Sequence, residues 1–265
     1  MFPYIGMTDV PDAEWLASML RLYRQCGGEM LEHKLHAGVM TSYKVLNGIK
    51  TSWSEVWPKP EEIADIFVYD QCVMNVLHYA DYEDKDRDLA GTLMHVANLG
   101  GPYLYALQLD MPWPDVTALK KFEKRRPPVY VILQVGEVAL KRVGNDLSET
   151  INRLQDYSSS IDGVLLDLSM GRGKSMNAAL LRPFILAFRS RLPHLSITVA
   201  GGLGPDTLHL VAPLVAEFPS ISIDAQGQLR ASGSSKDPID RERAERYLRG
   251  AVEMYIATVP NGHPV

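Results

Sequence analysis

Short runs of apolar, β-branched and aromatic residues recur along the chain, separated by stretches whose apolar positions return at helical spacing. The first run, PYIGMT at 3–8, predicts a strand. The stretch after it, DVPDAEWLASMLRLYRQCGG, predicts a helix. It has capping acids, an apolar stripe of Trp15, Leu16, Met19, Leu20 and Tyr23, and a terminal glycine pair. Further strands are predicted at KLHAGVMTS (34–42), CVMNVLHYA (72–80), YLYALQLD (103–110) and PVYVILQVG (128–136). The last three fall at GVLLDL (163–168), SITVAGG (196–202) and SISIDAQG (220–227). Helices are expected at PEEIADIFVYD, LAGTLMHVANLG, about 114–124, DLSETINRLQDY, NAALLRPFILAFRSRL, PDTLHLVAPLVAEF and about 240–255. Eight strands alternating with helices predict one α/β domain over 1–265, a closed parallel (β/α)8 TIM barrel. An open doubly wound sheet would place a glycine fingerprint after its first strand, where this chain has GMTDVPDA.

Composition narrows the function classes. Of 265 residues, 46% are hydrophobic and 22% charged, the balance of a globular chain with a sizeable core. The formal net charge of −5 argues against a broad basic surface, so nucleic acid is not an expected partner. Lys120, Lys121, Lys124, Arg125 and Arg126 sit among apolar residues at helical spacing and read as a solvated helix end. Cys26 and Cys72 are the only cysteines, far apart and in no metal-ligand spacing, which suits a reducing compartment. The start MFPYIGMTDV lacks the pattern of a signal peptide, and no apolar run approaches the roughly 18 residues of a membrane span. A soluble, cytoplasmic protein without a membrane partner is expected.

The segment GVLLDLSMGRGKSMN (163–177) ends like a nucleotide-binding loop, but that loop needs a glycine where this chain has Leu168. In a barrel the C-terminal strand ends form the active face. Asp167 follows an apolar run, and Leu166 and Leu168 must point away from it. Either Asp167 faces the barrel mouth or the leucines do. A carboxyl in a partly dry mouth holds its proton more readily and can donate it. The alternative is an acid that salt-bridges Lys174 or Arg172 and stiffens the loop.

From about 128 to 255 the sequence resembles phosphoribosylanthranilate isomerases. The matching pieces come in order: VYVILQVGEV, LLDLSMGRGKSMN, VAGGLGPDTL and SIDAQGQLR…SGSSKDPI, with ALQLD in strand four similar to the family's Val-Gln-Leu-His. The resemblance implies a ribulose-phosphate-binding type of barrel and an isomerase. Its reaction opens a phosphorylated aminosugar ring into an aminoketose, with no cofactor and no metal. It implies Asp167 as the general acid. It places the phosphate against backbone N–H groups at Gly201 and Gly202 after strand seven, and at Gly227 and Gln226 after strand eight, with SGSS (232–235) as a further source of N–H and hydroxyl donors. The strand-six loop (Gly171, Gly173) and the strand glutamines Gln108 and Gln134 complete the implied binding set. The ligand class is a small phosphorylated, sugar-phosphate-type molecule.

Departures from the family pattern point elsewhere for the base. Aligned on the first strand's glycine, the family's catalytic cysteine is replaced by Ile5, which cannot take a proton. The family's Ser-Pro-Arg after strand two is missing, leaving only Lys44 and Lys50 nearby, and its paired serines after strand eight are Ala225 and Gln226. Asp9 can reach the mouth or cap the first helix. Asp224 and Asp110 end strands eight and four and can pair with Asp167 as an acid/base set, or cap neighbouring helices. His36 and His78, with Asp167, are the set a metal-dependent epimerase or aldolase would use. Tyr43, Trp53 and Trp57, in the long segment between Thr41 and Pro58, either cover a ligand or pack on the rim. A barrel that kept its scaffold and lost catalysis, binding a metabolite or a protein, is the alternative of a different class.

Overall fold

The computed structural model describes residues 1–167 and 176–259. Among them, eight parallel strands close into a barrel in chain order. The strands are β1 (Tyr4–Thr8), β2 (Lys34–Ser42), β3 (Val73–Ala80), β4 (Ala106–Asp110), β5 (Tyr130–Val135), β6 (Gly163–Asp167), β7 (Ser196–Ala200) and β8 (Ser222–Ala225). β8 pairs back onto β1 with Gly6 opposite Asp224, which completes the cylinder. The single (β/α)8 barrel expected from the periodicity is the fold observed.

Alternation along each strand sorts side chains to two sides. Ile5 and Met7 of β1 join Leu16, Met19 and Tyr23 of the helix Ala13–Gln25 in the layer between barrel and helices. Tyr4 instead joins Met74, Val76, Ala106, Ile132 and Leu165 in a separate apolar cluster that fills the barrel's lower interior. The same alternation answers the question left open at β6. Leu166 packs outward and Asp167 belongs to the inward set with Leu165.

Several boundaries moved for local reasons. β4 begins at Ala106 because Gly101, at φ +66, and Pro102 form a 3-10 turn over Gly101–Tyr103. Two helices, Glu137–Arg142 and Leu147–Gln155, follow β5 where one is expected; Gly144 and Asn145 separate them at φ +66 and +55. The stretch before β8 breaks into Leu208–Leu210 and Ala212–Glu217. The last helix, Arg241–Ile256, is capped by Asp240. No helix among the described residues is long and apolar enough to cross a membrane.

Candidate active site

Two inward glycines on neighbouring strands clear space above the apolar floor. A β-carbon on Gly6 would lie 2.3 Å from Asp224 Oδ1, and one on Gly38 would lie 2.8 Å from both His78 Nε2 and Thr8 Oγ1. The space holds a polar chain that crosses the barrel. Thr8 Oγ1 lies 3.1 and 3.2 Å from the two oxygens of the Asp224 carboxyl. Asp224 Oδ1 lies 4.0 Å from His36 Nδ1, and the Nε2 atoms of His36 and His78 are 3.4 Å apart. His78 Nδ1 lies 3.9 Å from Asp110 Oδ2. Gln108 Nε2 donates to Asp110 Oδ1 at 2.9 Å and to Gln134 Oε1 at 3.2 Å. His36 also stacks on Tyr4, ring centroids 4.6 Å apart, which seats it on the floor.

Burial and neighbouring charge divide these groups into proton donors and acceptors. Burial pushes the Asp224 carboxyl up to about 7, against the opposing pull of His78 and the Thr8 hydroxyl. Burial also depresses the His36 imidazole, and the neighbouring His78 depresses it further. For His78 burial acts in the same direction, but Asp110, with Asp224 and Asp9 beyond it, outweighs it and raises the imidazole. His78, whose imidazole is raised, is the better donor across the 3.4 Å contact, and His36, whose imidazole is depressed, the better acceptor. The remaining His36 proton sits on Nδ1, facing Asp224. At 4.0 Å from Asp224 Oδ1, His36 Nδ1 shares no hydrogen bond with it, so the line across the barrel is a set of close polar approaches and not an unbroken hydrogen-bond chain.

Above the chain opens a cavity of about 700 Å³. It brings together most of the expected residues. Asp167, Asp224, Gln108 and Gln134 line it from the strands, and Gly201, Gly202, Gln226 and Gly227 line it from the loops after β7 and β8. Asp167 and Asp224 both register with Ala200, so the two carboxyls flank one residue of β7. Gly201 and Gly202 have φ of +103 and +68, a turn that side-chain-bearing residues avoid. Gly171 and Gly173, with Arg172 and Lys174, lie outside the described residues.

Other expectations are corrected. Asp9 does not line the cavity and does not cap the first helix; Asp12 does, accepting from Trp15 N at 2.7 Å. Asp9 sits just past β1 at φ +74, ion-paired with Arg230, with both side chains buried, and it accepts from Gln226 Nε2 at 3.1 Å. Burial raises its carboxyl; Arg230 and Gln226 oppose the rise. Asp110 and Asp224 cap no helix, since Asp115 and Asp240 take those roles. Ile5 faces the helical layer, so the inward positions of β1 are Tyr4, Gly6 and Thr8; alignment on the glycine put a mouth residue on the wrong side of the strand. Lys44 pairs with Glu83 and Lys50 with Glu55, and neither lines the cavity. His36 and His78 do meet, but Asp167 does not join them. Among the described residues no group of three or more His, Cys, Asp or Glu is arranged to hold a metal ion.

Thr8 and Lys236, to which the sequence reading gave no role, complete the mouth together with Ser234 and Ser235 of the SGSS stretch that the resemblance offered as further donors. Of these, Ser234, Ser235 and Lys236 carried a signal, the SGSSKD segment, but only the structure turns it toward the cavity.

A closed (β/α)8 barrel, with ionisable groups and glycine turns at the C-terminal ends of its strands, is the class this site defines. No protein-family model matches the chain, and comparison with curated proteins gives no match. Among solved structures, the chain is similar to the tryptophan synthase alpha chain from Legionella pneumophila subsp. pneumophila, with 13% identity and a TM-score of 0.56 over 98% of this chain and 92% of that one. It is also similar to "QR15, an Aldolase", with 9% identity and a TM-score of 0.53 over 97% and 96% of the two chains. These likenesses are of fold.

Proposed function

We propose that this protein is an enzyme acting on a small phosphorylated metabolite at the barrel mouth, and that the reaction is an isomerisation or epimerisation. One observation carries the reading. A single cavity of about 700 Å³ joins strand-end carboxyls at Asp110, Asp167 and Asp224 to the glycine turns at 201–202 and 227 and to Lys236. Backbone N–H groups in such turns, with an ammonium beside them, suit an anion. Asp167 acts as general acid, protonating the substrate oxygen whose bond to carbon opens. Asp224, poised near neutrality by its burial, takes the proton from the adjacent carbon. Asp224 then returns that proton to carbon, and the proton shed as the enol collapses to the carbonyl restores Asp167. The phosphoribosylanthranilate isomerase resemblance supports this assignment of Asp167, and the enzyme names of the two similar barrels agree with a catalytic role.

The test is calorimetric titration with inorganic phosphate and ribose 5-phosphate. Binding of both, weakened in a Lys236→Met variant and retained in Asp167→Asn, is the expected result. No binding at millimolar ligand would overturn the reading. Binding with no turnover of any phosphorylated aldose or aminosugar, unchanged by Asp167→Asn and Asp224→Asn, would leave a binding module instead.

A further inference from the structure

The loop after β2 reaches over the mouth to the loop after β8. Residues 51–57 fold into a compact turn of their own. Thr51 N donates to Ser54 Oγ at 2.8 Å, Trp53 N donates to Thr51 Oγ1 at 3.2 Å, and Trp53 O accepts from the N–H groups of Val56 and Trp57 at 2.9 Å. Trp57 stacks on Trp53, centroids 5.4 Å apart and planes 16° from parallel. Trp53 is thus presented to the cavity by a built turn. Its Nε1 donates to Ser235 Oγ at 3.2 Å, and Lys236 Nζ lies 5.7 Å from its ring centroid. The partner loop is held as firmly. Arg230 donates from Nε to Asp237 O at 3.0 Å and from NH1 to Gln226 O, and Gly233 N donates to Arg230 O at 3.2 Å. Trp53, Ser235 and Lys236 all line the same cavity.

Hydrogen-bond chemistry gives this contact a consequence. An indole N–H only donates, so Ser235 Oγ must accept from it, and the serine's own proton is left to be given elsewhere. A hydroxyl that accepts one hydrogen bond donates the next more strongly. The Lys236 ammonium, drawn toward the indole, has donors and no acceptor. We infer that Trp53 is a positioning residue of the anion site: closure of the 51–57 turn onto the β8 loop commits Ser235 as a donor and holds Lys236 over the mouth, so an anionic group binds the closed arrangement. The inference rests on the anion-site reading above and adds a residue from the far loop to it.

Phosphate affinity by calorimetry and backbone hydrogen exchange over 51–57, both in the full chain, test the inference. Trp53→Phe keeps the stacked ring and loses the N–H; Ser235→Ala removes the hydroxyl. Phosphate binding is expected to weaken about three- to tenfold in Trp53→Phe and about tenfold or more in Ser235→Ala. The Trp53→Phe effect should vanish in the Ser235→Ala background, because both act through one contact. Phosphate should slow exchange over 51–57 in the natural chain and not in Ser235→Ala. If Trp53→Phe binds phosphate as tightly as the natural chain, this inference fails while the anion site stands. If the natural chain binds no phosphate, the anion-site reading fails and takes this inference with it.

Discussion

The barrel has two interiors built on the same strands. Toward one end Tyr4, Met74, Val76, Ala106, Ile132 and Leu165 close an apolar floor. One or two inward positions further along, Thr8, His78, Gln108, Asp110, Gln134 and Asp224 form a polar mouth. Backbone pairing is continuous through both, so only side-chain chemistry separates them. The floor is held by packing, with the buried Tyr4 hydroxyl as its polar exception. In the mouth region, buried atoms such as Asp9 Oδ1, His36 Nδ1 and Gln108 Oε1 have no hydrogen-bond partner among the described residues, and each such atom costs about 1–3 kcal/mol unless something else meets it. A fold that keeps those groups gives up stability where the proposed chemistry sits and recovers it in the layer below. The comparison explains why glycines, and not larger residues, occupy the inward positions at 6 and 38: bulk there would fill the mouth as it fills the floor.

The largest effect expected is at the Asp9–Arg230 ion pair beyond the C-terminal ends of β1 and β8. Arg230→Met leaves Asp9 buried and uncompensated, and should cost about 3–5 kcal/mol in denaturant unfolding. The double variant Asp9→Leu/Arg230→Met should recover most of that loss; a single variant as stable as the natural chain would remove the pair from the fold's support. Next comes the floor. Leu165→Ala should cost about 2–5 kcal/mol with phosphate affinity unchanged, since the residue meets the cavity with an apolar side chain that offers an anion no hydrogen bond. A change in affinity with no change in stability would dissolve the distinction drawn between floor and mouth.

The sharpest effect concerns pH. Asp224 has a folded-state value of about 7, above the roughly 3.9 of an unfolded aspartate. The folded chain therefore holds this proton more tightly than the unfolded one. The stability it contributes is complete below about pH 4 and is lost as pH rises through about 7. Asp224→Asn should flatten the stability curve over that window, which unfolding measured at a series of pH values will show. Identical slopes for the variant and the natural chain would mean that the carboxyl is not held in its protonated form.

Much of the fold was legible because strand and helix patterns are local. KLHAGVMTS coincides with β2, and each of the other predicted strands has a counterpart within a few residues. The errors arose where glycine and proline broke a pattern, as at Gly101-Pro102 and Gly144. The candidate site was legible in part. Asp167, Asp224 and the glycine turns were singled out from strand ends and from resemblance, whereas Asp9 was given the wrong neighbour and Arg230, quoted within SIDAQGQLR, no role. Nothing near Asp9 in sequence announces a partner more than two hundred positions away.

The amino-acid sequence alone determined the number and order of strands and the residues at their C-terminal ends, because period-two runs and capping residues act over a few positions. Only the closed barrel decided which face of each strand is the inside. Alternation groups residues on one side without saying which side that is, and the answer comes from closure and register. Those brought His36 to His78, Trp53 to Ser235 and Asp9 to Arg230, contacts whose partners no local pattern could join.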